Sequence, residues 1–204
     1  MLDPRVRNKK FNSESMKTFM KDYSDCLSFA LERLDSSMLS AAADKIDETS
    51  KGGGQIFSIG NGGSAAISDH LCCDWSKGTF QENHPPITST SLNSNMALYT
   101  AVANDFGLER VFSEQLNYFG SSNDILIAIS SSGNSENIIQ GVMKAKSKGM
   151  FVIGLSGFDG GRLRSISDVS IHVDVSNYGV VEDSHQIIMH MIGLYVFSRR
   201  EESK

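Results

Sequence analysis

The chain has 204 residues, of which 40% are hydrophobic, and a formal net charge of −5 at pH 7. That is enough apolar material to close one sizeable core, without the basic field of a general nucleic-acid or anionic-membrane binder. No apolar run reaches the roughly 18–20 residues of a membrane span, and three cysteines (Cys26, Cys72, Cys73), two of them adjacent, indicate a reduced, cytoplasmic protein.

Residues 1–13 read as a flexible polar leader: Arg5, Arg7, Lys9 and Lys10 are not followed by the apolar stretch of a secretory signal. From residue 14 to about 34, Met16, Phe19, Met20, Tyr23, Leu27, Ala30, Leu31 and Leu34 recur at helical spacing. Asp35-Ser36-Ser37 turns the chain and caps a second helix, 38–49, which Lys51-Gly52-Gly53-Gly54 stops. Residues 14–50 thus form a helical extension ahead of the first strand. The long stripe of its first helix predicts contact with a second subunit. Strands and helices then alternate: strand 55–59, helix 64–77, strand 87–92, helices across 94–119, strand 124–130, helix 135–148, strand 151–156, strand 169–175 and helix 181–199. Segments 125–129 and 151–155 are apolar on both faces, the mark of a parallel sheet covered by helices on both sides. One doubly wound α/β domain over residues 14–200 is the expectation.

Two loops carry the chemistry. The first strand runs into Gly60-Asn61-Gly62-Gly63-Ser64, and strand 124–130 into Ser130-Ser131-Ser132-Gly133-Asn134-Ser135; a helix follows each. That order aims backbone N–H groups, hydroxyls and the positive end of a helix at one point, where a phosphate can sit. Serine hydroxyls donate to phosphate with little bulk, leaving amide dipoles to offset most of its charge. Turns also use Ser, Gly and Asn; it is the repeat of one strand-to-helix context that indicates a phosphorylated small molecule, held at the carboxyl ends of parallel strands. There is no GxGxxG and no Walker lysine, so no nucleotide cofactor is expected. His70 and Asp74 share a helix face at i, i+4, and Glu182, Gln186 and His190 form a polar stripe in the apolar last helix. Taken singly, each has an ordinary explanation as a surface pair or a satisfied core residue. Cys72 and Cys73 read as small packing residues and Trp75 as packing its helix against the sheet, while His84 and His172 take no role.

Five features combine: Gly60-Asn-Gly-Gly-Ser-Ala-Ala66, His70 with an acid four residues on, Ala103-Asn-Asp-Phe-Gly107, Ser130-Ser-Ser-Gly-Asn-Ser135, and a closing Glu182-Asp183-x-His185-x-x-x-x-His190. Over about residues 14–200 this set resembles the SIS (sugar isomerase) domain family and, within it, the phosphoheptose isomerases. The resemblance implies a homotetramer of five-stranded, flavodoxin-like parallel sheets with active sites between subunits. It implies an aldose–ketose isomerase converting sedoheptulose 7-phosphate to D-glycero-D-manno-heptose 7-phosphate for surface polysaccharide. By position it implies that Asn61, Gly62, Gly63, Ser64, Asn104, Asp105, Ser130, Ser131, Ser132, Ser135 and Glu182 bind substrate. Asp74 and His190 would be the acid/base pair, and His70, Asp74, Glu182 and His190 the ligands of Zn²⁺. Asp74 stands where the family usually has glutamate, one methylene longer, and Glu182 where it usually has glutamine. A His/Asp/Glu/His set would neutralise Zn²⁺ with ligands that it accepts. On one continuous helix, however, Glu182 and His190 stand about 12 Å apart along the axis. Either Glu182 lies in an irregular first turn or the two ligands come from different subunits. The resemblance leaves two further readings open: a non-catalytic SIS tetramer that binds a replication-initiator protein, and an isomerase of another phosphosugar.

Overall fold

In the computed structural model, residues 10–202 are described; most of the expected polar leader, with Arg5, Arg7 and Lys9, lies outside the described residues. From Phe11 onward the chain is tied to the first helix. The Phe11 ring sits 5.3 Å from that of Phe19 and 5.2 Å from that of Tyr23, and the Asn12 N–H donates to Asp22.

Helix α1 (Met16–Glu32) opens on a capping box between Ser15 and Thr18, and α2 (Ser36–Lys51) on the Asp35 carboxylate. The remaining elements are β1 (Ile56–Ile59), α3 (Gly63–Cys73), β2 (Ser89–Ser91), α4 (Met96–Phe106), α5 (Val111–Phe119), β3 (Ile125–Ser130), α6 (Glu136–Ser147), β4 (Phe151–Ser156), α7 (Gly161–Ile166), β5 (Val169–His172) and α8 (Tyr178–Glu202). A π-helical turn, Asp74–Gly78, continues α3, and a 3₁₀ turn, Leu108–Arg110, links α4 to α5.

All five strands are parallel, in the order β2-β1-β3-β4-β5. Strand alternation builds two cores. Ile125, Ile127 and Ile129 point into one, shared with α1, α2, α3 and α8; Leu126 and Ala128 point into the other, shared with α4, α5, α6 and α7. Each fully buried isoleucine or leucine contributes about 1.5–3 kcal/mol relative to an exposed one. This is the expected doubly wound, flavodoxin-like α/β sandwich.

Several details differ from expectation, among them β2, which spans only Ser89–Ser91 of the expected 87–92. Helix α7 is absent from the predicted elements because it follows Asp159-Gly160-Gly161, with both glycines at positive φ (91° and 54°), which reads as a loop. Strand β5 stops at His172, three residues early. Helix α8 begins three residues earlier than predicted, because the Asn177 side chain accepts the Val180 N–H at 3.1 Å and lets the turn-like Ser-Asn-Tyr-Gly stretch enter the helix. Helix α1 packs on its own chain through buried Cys26 and Ala30, and the Met16 and Met20 end of its stripe stays 72% and 61% exposed, open to the second subunit expected of it. Among the described residues, no helix is long and apolar enough to cross a membrane, and Cys72 and Cys73 are free thiols.

Candidate active site

The chain leaves β1 outward to β2 and returns to place β3 on the other side of β1, so the topological switch point lies between β1 and β3. Both Ser/Gly loops sit there, side by side. The Asn61 and Asn137 side chains exchange two hydrogen bonds of 2.9 Å, which fasten the first loop to the helix of the second. Asn93 clasps Gly60 through both its amide and its oxygen. Gly62 adopts φ 55°, ψ −123°, a conformation that a side chain would oppose, and this turns the chain into α3.

The two helices that start here lack a side-chain cap, as α5 and α7 also do. Ser15, Asp35 and Asn95 cap α1, α2 and α4 through their side chains, whereas α3 and α6 begin at Gly62 and Ser135 without any side-chain cap. At α6 the Asn137 side chain accepts the Ile138 N–H at 3.0 Å, and the Glu182 carboxylate lies against the start of α3; the other first-turn N–H groups can face an anion. Ser64, Ser130 and Ser131 are buried around them, and the Ser131 hydroxyl has no hydrogen-bond partner. Ser132 accepts the Asn134 N–H at 3.3 Å.

Farther along α3, Asp74 occupies the junction where the α-helix passes into its π turn. Its Oδ2 lies 3.2 Å from His70 Nε2 and 3.1 Å from His190 Nε2, and the two imidazoles meet edge to face at 5.2 Å. The Gln186 amide nitrogen stands 2.9 Å from His70 Nδ1. With Gln186 donating, His70 Nδ1 is the bare nitrogen and Nε2 carries the proton toward Asp74. Gln186 was seen in sequence only as part of a stripe; the crossing of α8 over α3 gives it a partner. A cleft of about 360 Å³ opens beside Asp74 and His190, walled by Trp75, Met189, Gly193 and Leu194.

Glu182 is not part of this cluster. Helix α8 is continuous from Tyr178, so the irregular first turn does not occur and the 12 Å offset along the helix stands. The Glu182 carboxylate lies instead against Gly63, where a Cβ would strike it, at the positive end of α3. Next to it, Asp183 accepts the Tyr23 hydroxyl at 2.6 Å; burial first, and then this bond, hold that hydroxyl protonated well above the usual tyrosine range. Asn104 and Asp105 are not brought to the cluster either. They are exposed on the last turn of α4, where Asn104 donates to Asp105 at 2.8 Å.

Among the described residues, His70, Asp74 and His190 form the one group able to hold a metal ion, with ligand atoms within 4.8 Å of one another. Two imidazole nitrogens and a carboxylate oxygen, half-exposed, suit a zinc site that keeps an open position. Gln186 fits that use as well. With a cation on Nε2, His70 Nδ1 would carry the proton and the Gln186 amide would turn its oxygen toward it.

The SIS domain model matches residues 18–157, a span that holds both loops, His70 and Asp74. The phosphoheptose isomerase of Cytophaga hutchinsonii is 41% identical over 159 residues, covering 78% of this chain and 82% of its own length. That of Helicobacter pylori strain P12 is 33% identical over 170 residues, covering 83% and 88%. Among solved structures, the phosphoheptose isomerase of Neisseria gonorrhoeae superposes with a TM-score of 0.83 at 27% identity, covering 91% of this chain and 98% of that one. Sheet order, paired loops and these relatives agree: the chain belongs to the SIS domain family, on its phosphoheptose isomerase branch.

Proposed function

We propose that this chain is a cytoplasmic aldose–ketose isomerase that interconverts sedoheptulose 7-phosphate and D-glycero-D-manno-heptose 7-phosphate, supplying heptose for surface polysaccharide. The observation that carries the reading is the meeting of Asp74 with His190 at the end of α3, the helix that opens on the first Ser/Gly loop. Glu182 touches the first of those starts and lies about 12 Å along α8 from His190, a span of the order of an extended heptose phosphate.

Isomerisation moves a proton between C1 and C2 through an enediol. Asp74 is the group that takes the carbon-bound proton and returns it to the neighbouring carbon. His190 donates its N–H to the substrate oxygen and steadies the charge that develops there. His70, braced by Gln186, holds the Asp74 carboxylate in place. The phosphate sits among Gly62, Gly63, Ser64, Ser130, Ser131, Ser132 and Ser135, with Asn61 holding the two loops together; its binding energy orients the far end of the sugar. Glu182, too far along α8 to join the metal-capable trio within one chain, takes sugar hydroxyls. Zn²⁺ held by His70, Asp74 and His190 would supply Lewis-acid polarisation of the substrate oxygens. Asn104 and Asp105 reach the substrate from a neighbouring subunit of a homotetramer, in which exposed Met16, Met20 and Leu194 become covered.

The test is conversion of sedoheptulose 7-phosphate to the aldose by the full chain, with and without added Zn²⁺, beside His190→Ala and Asp74→Asn. Turnover that falls by about 10²–10⁴-fold in each variant is expected. A wild-type chain that turns over nothing, or a His190→Ala variant as fast as wild type, overturns the proposal.

A further inference from the structure

Asp74 and His190 belong to different helices, and their contact depends on how closely α3 and α8 approach. A side chain as short as aspartate has one methylene with which to follow a displaced partner. A separation of 3.1 Å is already near the limit of a good hydrogen bond, so a shift of a few tenths of an ångström weakens it. Something must fix the distance between the helices at this level.

We infer that Trp75 is that device: a positioning residue whose indole, seated on α8, holds Asp74 against His190. Trp75 directly follows Asp74 in the chain, and its Nε1–H donates to the carbonyl of Met189, which directly precedes His190, at 3.0 Å. The bond therefore joins the immediate neighbours of the two reacting groups. Gly193 makes the approach possible, since a Cβ there would stand 3.0 Å from both Cδ1 and Nε1 of the indole. The π turn contributes by placing Asp74 and Trp75 at its opening, with the Thr79 hydroxyl donating back to the Trp75 carbonyl. Trp75 is 2% exposed, and its bond to Met189 ties it to both reacting groups through their immediate neighbours in the chain. A tryptophan that only filled the core could be exchanged for another buried aromatic ring without changing the reaction.

The inference rests on the isomerase reading for its kinetic test but not for its structural one. Trp75→Phe in the full chain keeps an apolar ring and removes the donor. Gly193→Ala keeps the indole and crowds it, so that ring or helix must give by a few tenths of an ångström, and serves should Trp75→Phe fail to fold. For each variant the readouts are kcat and KM for sedoheptulose 7-phosphate, the urea midpoint, and the imidazole ¹⁵N resonances of His70 and His190 in metal-free protein. The expected result is kcat lower by about tenfold or more, as for a misplacement approaching 1 Å. KM stays within about twofold, and both ring resonances move in protein that remains folded at the assay temperature. Variants with kcat within about twofold of wild type and unmoved ring resonances overturn the inference. If the wild-type chain itself fails to isomerise the sugar, the functional reading falls, and the ring resonances alone decide: moved, the Trp75 clamp stands; unmoved, it falls too.

Discussion

His185 lies five residues before His190 on the same helix but faces the sheet, with no exposed surface and neither ring nitrogen in good hydrogen-bond geometry with a partner. Burial pushes its pKa from an ordinary 6.5 down to about 4, against a weak pull from the Ser156 backbone and with nearby His172 adding to the fall. The sign of the consequence follows. Between pH 6.5 and 4 the unfolded chain takes up this proton and the folded one does not, so the contribution is complete above pH 6.5 and is lost on acidification. A shift of that size amounts to about 3 kcal/mol once pH reaches the lower value, with no further loss from this group below it. Urea midpoints measured from pH 7 to 4.5 should therefore decline in wild type and flatten in His185→Leu; equal slopes would refute the assignment. In sequence, His185 and His190 are two histidines of the last helix, the second inside its apolar run and the first just before it. What separates them is which side of α8 each occupies once Asp74 is in place, and that is a tertiary fact. His70, Asp74 and His190 were legible because i, i+4 spacing and the second stripe are local. Asn137, which pairs with Asn61 across two loops, left no local signal at all.

Helix α8 links the site to the rest of the molecule, and its far end is held as firmly as its middle. Arg200 is buried there and donates to Asp47 at 2.7 Å, to the Pro85 carbonyl at 3.1 Å and to the Ser50 hydroxyl at 2.5 Å, joining α8 to α2 and to the turn before β2. Arg200→Ala strands a half-buried carboxylate whose other partner is Lys51, and should cost about 3 kcal/mol, the lower end for breaking a buried pair. Arg200→Met combined with Asp47→Leu should recover most of that loss, since apolar replacements of a buried pair are often neutral. Urea denaturation of the three proteins gives the answer; a double variant as unstable as Arg200→Ala would show that the remaining bonds to Ser50 and Pro85 carry the energy. Strands and long helices at this scale were legible because burial imposes its own periodicity, two-sided in β3 and β4 and helical in α1. Two elements were not. Helix α7 is six residues opened by glycines, and the π turn at Asp74 is a slip of hydrogen-bond register that changes no residue type.

At the scale of the whole molecule, the proposed site draws on a second copy of the chain. Asn104 and Asp105 face solvent on α4, and large apolar side chains are open near them (Phe106, Leu108) as well as on the opposite layer (Met16, Met20, Leu194). The surplus apolar stripe of α1 was visible in sequence; which copy would complete which site was not, because a site shared between subunits would leave no trace within one chain's spacing. Closed symmetric assembly supplies a sharp test. In a site shared between subunits, His190→Ala and Asp105→Ala are each inactive, but they are defective in different halves of the site. When the two variants are co-expressed and assemble at random, a site is intact if the subunit giving His190 is the Asp105→Ala chain and the subunit giving Asp105 is the His190→Ala chain. Each condition holds half the time, so about a quarter of the wild-type sites should return, and turnover of sedoheptulose 7-phosphate should recover to about that fraction. If Asp105 instead served its own chain's cluster, every site would carry one lesion and the mixture would stay as inactive as its parents. An Asp105→Ala chain that is fully active alone would remove Asp105 from the site. Recovery near a quarter, lost again when the parents are purified separately and never mixed while unfolded, would place the Asp105 carboxylate on the neighbouring subunit.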